Sequence, residues 1–285
     1  MNRKLILSAF VLILGISATL SAQEIVITTP YKIGNGAGKT FKETKKVVIG
    51  CFQIMQVTTS SASQTAAGGG AYAKMSVSFG GVDPAAYQAI VKEGYDLAVK
   101  KLTEAGWEVL TPEQIKATGV ETYEGKVAED KSATYFQAPV TQVVQNWNAM
   151  GYNSFLSKAK QLGANLINFN FGATAVAFDR GSKFSKKATV EASPYLTFGG
   201  PMLSYPIARN GSPVYIMAGT KQGETDFAGP EGLFETSSRK SRYLGNAFGK
   251  YTLDIDQTKY LTYIKTMLLT SVEKSVDTWI AAMNK

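Results

Sequence analysis

The chain contains no histidine and only one cysteine, Cys51. Without histidine there is no Ser–His–Asp triad, no Cys–His pair and no histidine-ligated zinc or copper site. A lone cysteine cannot close a disulfide within the chain. Cys51 lies in "KKVVIGCFQIMQV", a β-branched run that reads as a strand, where a cysteine serves as a small buried apolar group. Charged residues are sparse as well, at 18% of the chain. Their clusters, Lys45-Lys46, Lys100-Lys101, Lys186-Lys187 and Arg239-Lys240, are short and far apart in sequence. None interleaves with aromatics as an RNA-binding motif does, so surface solvation is expected and no nucleic-acid partner.

A phosphate-binding loop is also missing, although "KIGNGAGKT" at Lys32 to Thr40 comes close. That loop requires Gly-x-x-x-x-Gly-Lys-Ser/Thr so that successive backbone N–H groups wrap the phosphates before a helix begins. Counting back from Gly38-Lys39-Thr40 puts Ile33 at the first glycine position, with Gly34 one residue too close. The following "FKETKKVVIGCF" is charged and then β-branched, so the stretch reads as a glycine-rich turn. No cofactor and no metal site are expected.

Carboxylates are the remaining route to catalysis, because a glycosidase-type hydrolase needs a pair of them. Glu121/Glu124, Glu224/Asp226 and Glu231/Glu235 are spaced as pairs, but each lies in a glycine-rich or polar stretch where acids solvate loops. "DIDQT" at Asp254 to Thr258 lacks the glycine and the distal glutamate of a calcium loop. The chain is therefore read as a non-enzyme, with a carboxylate-dependent hydrolase as an alternative.

The N-terminus carries a targeting signal. "MNRKLILSAFVLILGISATLSAQE" has a basic start at Arg3 and Lys4, an apolar run from Leu5 to Ile16 and small residues before Gln23, the anatomy of an export leader cleaved after Ala22. The apolar run is shorter than the roughly 20 residues that span a bilayer. The formal charge is +8, and losing Arg3 and Lys4 with the leader brings it to +6. Residues 1–22 are thus expected to be a signal peptide and 23–285 a single α/β domain, long enough for a substantial core.

Along that domain the hydrophobic period changes repeatedly. Asp83 and Pro84 start a helix whose Tyr87, Ile90, Val91, Ala98 and Leu102 share a face, and Gly106 ends it. "WEVL" from Trp107 to Leu110 is a strand, and Thr111-Pro112 opens a short helix. Gln137 to Met150 and Asn153 to Leu162 read as helical, followed by the strand region "ANLINFNFGATAVAFD". "ATVEASPYLTF" is a strand interrupted at Pro194, Gly199-Gly200-Pro201 a turn, "PVYIMAG" a core strand and "KQGETDFAGPEGLFETSSRKSR" a long polar loop. From Asp256 to Asn284, Leu261, Ile264, Leu268, Val272, Val276, Trp279, Ile280 and Met283 recur three, four or seven apart, giving a long C-terminal helix of roughly 40 Å. The fold class expected is α/β, a mixed sheet flanked by helices, with β-hairpin insertions at about 58–81 and 171–198.

The most regular strand pattern is "AYAKMSVSF". Ala71, Ala73, Met75, Val77 and Phe79 alternate with Tyr72, Lys74, Ser76 and Ser78, over the 9 to 11 residues with which a β-barrel strand crosses a membrane. The same pattern also describes a hairpin with one face on a core.

The export leader, the strand "VVIGCF", the variable stretch after it, the helix "YQAIVKEGYDLAVKKLTEAG", the strand "WEVLTPEQI" and "SKAKQLGANLINFNF" together resemble the curli secretion channel family. The resemblance covers the order of elements over most of the mature chain and includes no short diagnostic motif. It implies an α/β domain with two amphipathic hairpins whose protomers form a ring, the hairpins closing an outer-membrane barrel that passes protein cargo. The stretch between Val57 and Gly81 would match the first hairpin, and Phe171 to Phe198, with turn candidates at Gly181 and Ser182, the second. Ala71, Ala73, Met75, Val77 and Phe79 would then face lipid, with Tyr72, Lys74, Ser76 and Ser78 facing the lumen. The family's acylated cysteine has no counterpart here, and Pro194 falls inside the second hairpin.

The expected function is accordingly that of an exported, non-catalytic envelope protein in the periplasm or outer membrane, acting by assembly or transport as a homo-oligomer. The alternative within the same fold is a soluble periplasmic or secreted binding module that uses aromatics such as Tyr195, Phe198 and Tyr205.

Overall fold

The computed structural model describes residues 29–32, 37–138, 141–144, 152–184, 186–208, 212–219, 223–224, 226–229, 232–239 and 245–284. The expected leader and residues 33–36 of the glycine-rich turn lie outside them. In chain order the elements are β1 (Thr29–Lys32), α1 (Ala37–Phe41), β2 (Lys46–Val57), β3 (Thr59–Thr65), β4 (Ala71–Phe79), α2 (Pro84–Glu104), β5 (Glu108–Val109) and α3 (Pro112–Ala117). Next come β6 (Tyr123–Glu124), β7 (Ala128–Glu129), β8 (Ala133–Ala138), β9 (Thr141–Gln142), α4 (Tyr152–Leu162), β10 (Asn165–Lys183) and β11 (Lys187–Tyr205). The last are β12 (Val214–Gly219), β13 (Gly223–Glu224), β14 (Ala228–Gly229), β15 (Leu233–Ser238), β16 (Gly245–Ile255) and α5 (Gln257–Met283).

The helices begin where side chains satisfy otherwise unpaired N–H groups. Asp83 accepts from the Ala85 amide at 2.9 Å, with Pro84 in the first turn of α2. Thr111 and Gln114 form a reciprocal capping box on α3. Asp256 caps α5 by accepting from the Lys259 amide at 3.1 Å.

The main sheet runs β1-β12-β11-β10-β2-β8-β7, with β5 on β2. β2 lies parallel to β10 and antiparallel to β8. Its buried face packs against α2 and α5 in a core that joins Ile49, Phe52 and Ile54 to Phe169, Phe171, Leu268 and Trp279. The two helices come close at Gly94, where an added Cβ would lie 2.8 Å from Leu268 Cδ2 and 3.0 Å from Phe52 Cζ. Lys101 bridges α2 to Glu273 and Asp277 on α5. The Trp279 indole donates to Ser204 Oγ at 2.7 Å. α3 and α4 cover one end of the opposite face, burying Val48, Cys51, Leu166 and Tyr205. Burial there pushes the Cys51 thiol up to about 12. The fold is thus mixed α/β, with helices on the sheet, a β3–β4 hairpin, a long β10–β11 hairpin and a long C-terminal helix.

Several expectations from the sequence are corrected. Gln137 and Ala138 finish β8 rather than start a helix, because β8 pairs residue by residue with β2; Thr141 and Gln142 form β9, and residues 145–150 lie outside those described. The expected polar loop after residue 220 contains β13, β14 and β15, the last paired with Lys187–Ala192 of β11. β11 runs through Pro194 on a bulge. Pairing with β15 ends at Ala192 and pairing with β13 starts at Tyr195, so the missing proline N–H costs that edge no ladder bond. Gly199-Gly200-Pro201 is not a turn but part of β11, with Gly200 at φ +152° and an added Cβ 2.1 Å from the Asn170 carbonyl oxygen. The β10–β11 turn lies beyond Gly181 and Ser182, where the Lys186 amide donates to the Lys183 carbonyl at 3.1 Å.

Candidate functional site

All nine residues singled out on the alternating strand lie in a second sheet, ordered β14-β16-β4-β3. β3 and β4 form an antiparallel hairpin, and β16 runs parallel to β4 from Gly245 opposite Ala71 to Leu253 opposite Phe79. This sheet packs face to face on the outer half of β10–β11 and on β15, making a small sandwich. Ala71, Ala73, Met75, Val77 and Phe79 are 0–4% exposed. The first four share a cluster with Ala62, Val176, Ala188, Val190, Ala192 and Leu253. Phe79 extends into the main core against Tyr260, with ring centroids 4.9 Å apart. In this structure the apolar face of β4 is therefore covered by the chain's own long hairpin. The other set is on the outer face, where Lys74 and Ser78 are exposed, Tyr72 and Ser76 are half-buried, and Tyr72 packs against Phe248 at 5.7 Å.

The many alanines and glycines at the interface allow the two sheets to approach closely. A Cβ on Gly245 would lie 1.7 Å from the Ser238 carbonyl oxygen. The Tyr251 hydroxyl donates to Glu235, a bond that raises the phenol's pKa, and so ties β16 to β15. β16 was not anticipated from sequence, although "GNAFGKYTLDI" carries a signal: Ala247, Gly249, Tyr251 and Leu253 are more buried than the residues between them.

The main sheet holds a second arrangement. Gln137 Nε2 donates to Gln53 Oε1 at 3.1 Å, and Gln53 Nε2 donates to Asn170 Oδ1 at 2.8 Å, a chain of amides across β8, β2 and β10. Tyr135, Met55, Gly172, Pro201, Tyr215 and Met217 share this half-buried face. Alternation does not reveal it, because almost every residue of the central strand β2 is buried on both faces. A separate cleft of about 510 Å³ beside α2 is lined by Gln88, Lys92, Tyr95, Asp96 and Pro112 among others. Burial, and secondarily the Asp96 charge, raises the Tyr95 phenol.

The aromatic surface expected of a binding module is not assembled. Phe198 and Tyr205 are buried at 0% and 6% exposure, while Tyr195 is half-buried. Of the carboxylates singled out in the sequence, Glu121, Asp226, Glu235 and Asp256 have structural partners. Asp226 accepts from Lys259 Nζ at 2.7 Å and from the Tyr263 hydroxyl at 3.1 Å, bonds that hold it below the usual carboxylate range. Glu235 bonds Tyr251, Asp256 caps α5, and Glu121 bonds Tyr123, raising that phenol. Glu231 and the side chain of Glu224 lie outside the described structure. Among the described residues there is no cluster of three or more His, Cys, Asp or Glu able to hold a metal. No described helix is long and apolar enough to cross a membrane, a statement that does not extend to strands. No protein-family model, curated protein or solved structure matches the chain.

Proposed function

We propose that this chain is an exported, non-catalytic protein of the cell envelope that acts by binding and assembly, with both hairpins folded onto its own α/β body. The observation that carries this reading is the burial of Ala71, Ala73, Met75 and Val77 against the β10–β11 hairpin of the same chain. An apolar strand face that is already covered has no need of lipid. Half-buried Asn170 and Gln137, at the two ends of the amide chain through buried Gln53, supply polar groups for a partner on a rigid sheet, a better foundation for recognition than a loop.

A second reading follows from the resemblance to the curli secretion channel family, in which the protomers form a ring and insert their hairpins. The strict alternation of β4 favours it. In this chain insertion would require the second sheet to leave β10–β11 and β15, uncovering side chains such as Met75 and Val77 that contribute about 1.5–3 kcal/mol each by burial. Envelope fractionation of cells expressing the full chain, with mass determination of the extracted species, separates the two. A species released without detergent supports the folded-back module. A large ring extracted only by detergent from the outer membrane overturns it in favour of the channel.

A further inference from the structure

The far end of the sandwich brings together groups that are separate in sequence. The β10–β11 turn carries Lys183, Phe184, Lys186 and Lys187, with Arg180 three residues before it. The Arg239 amide donates to the Lys186 carbonyl at 2.9 Å, so the end of β15 adds a fifth cation to the same tip. No acid occurs between residues 180 and 190. None of these five cations is in an ion pair among the described residues. Lys183 and Lys187 are direct antiparallel partners, an arrangement of like charges that destabilises a strand pair. Asp179 and Glu191, partners one pair further from the turn than Arg180, are the nearest acids on the hairpin, so the fold holds a net positive charge at the apex, where it attracts an anionic surface.

An apolar group sits in the middle of that charge. Phe184 is 75% exposed at the apex, the most exposed of the large hydrophobic residues among those described. Phe248 and Phe234, at 66% and 52%, are on strands of the same sandwich. A flat protein partner is poorly matched to a narrow hairpin end. An interface with anionic headgroups above and acyl chains below matches a ring of cations around a projecting phenyl group.

We propose that this tip docks peripherally on a bilayer surface rich in anionic phospholipid, with Phe184 entering the headgroup boundary while Arg180, Lys183, Lys186, Lys187 and Arg239 face the phosphates. The sandwich stays closed in this mode, so the inference goes beyond the function proposed above and needs only an exposed tip. Each cation near an anionic surface contributes about a fivefold gain in partitioning, and burying the phenyl group about tenfold.

The test is co-sedimentation of the purified protein with phosphatidylcholine vesicles, with and without phosphatidylglycerol, using heparin as a soluble polyanion. The parent is expected to pellet only with the anionic vesicles, and salt is expected to release it. K183Q/K186Q/K187Q should lower partitioning about a hundredfold and F184S about tenfold, with thermal melts no lower than the parent's, because Lys183, Phe184 and Lys186 are exposed, Lys187 is half-buried and the triple change removes the Lys183–Lys187 repulsion. F184W should give a blue-shifted emission component, relative to the parent, on adding anionic vesicles. Equal binding to the zwitterionic vesicles, unchanged binding by the tip variants, or absence of vesicle binding would overturn the proposal. Capture by heparin without vesicle binding would do so as well and would assign the tip to a soluble polyanion. None of these outcomes bears on whether the hairpins are folded back, which fractionation decides.

Discussion

Met75→Ala tests the closed sandwich directly. Met75 is fully buried between two sheets whose strands are held by ladders on either side, so the gap left by truncation cannot collapse. Buried methionine to alanine changes cost 2–5 kcal/mol, and this site, already lined by alanines, should cost about 3 kcal/mol. Lys74→Ala, one residue away on the exposed outer face, should stay within about 0.5 kcal/mol of the parent. With a urea dependence of about 3 kcal/mol per molar, Met75→Ala lowers the unfolding midpoint by about 1 M and Lys74→Ala barely moves it. Hydrogen exchange adds a regional readout, with faster exchange expected in β3, β4 and β16 before β2. If Met75→Ala is no more costly than Lys74→Ala, the apolar face of β4 is not covered in solution, and the argument for the folded-back module fails.

Two further outcomes follow from the packing. Gly200→Ala would place a Cβ 2.1 Å from the Asn170 carbonyl oxygen at φ +152°, so the β10–β11 pairing should break locally with a loss of more than about 3 kcal/mol, measured by denaturation; a variant as stable as the parent would show that this close approach does not exist. Burial raises the phenols of Tyr87 and Tyr260, so both are held protonated in the fold. The stability they contribute is fully present below the ordinary tyrosine value of about 10 and is lost as pH rises towards the folded values. Phenolate absorbance from this pair should therefore appear together with alkaline unfolding, and its appearance in the still-folded protein would contradict the buried Gln56–Tyr87–Tyr260 cluster.

Local signals in the chain were enough to place α2, α3 and α5 and their caps, because helical spacing, Asp or Thr caps and proline in the first turn act within a few residues. The same holds for the strand character of β2, β4 and β10, where β-branched runs or strict alternation are visible without knowing the partner. The errors fell where a partner strand decided the outcome. Gln137 joins β8 because β2 is beside it, Leu233–Ser238 becomes a strand because the outer edge of β11 needs pairing, and Pro194 and Gly200 are tolerated within a strand because of what lies opposite them.

The candidate site divides in the same way. The alternation of Ala71 to Phe79 by itself determined that one face of β4 is apolar and the other polar, since side chains on a strand point to opposite sides. That a facing sheet covers the apolar face in this structure is visible only in the tertiary structure, because lipid and a facing sheet satisfy the same pattern and the long β10–β11 hairpin reaches over it from about a hundred residues away in sequence. The basic tip has the same origin: Lys186-Lys187 and Arg239 are minor clusters along the chain, and a hydrogen bond between distant strand ends makes them one charged surface around Phe184. Composition and period establish what each segment must bury or expose, and the long-range pairing of strands determines against what.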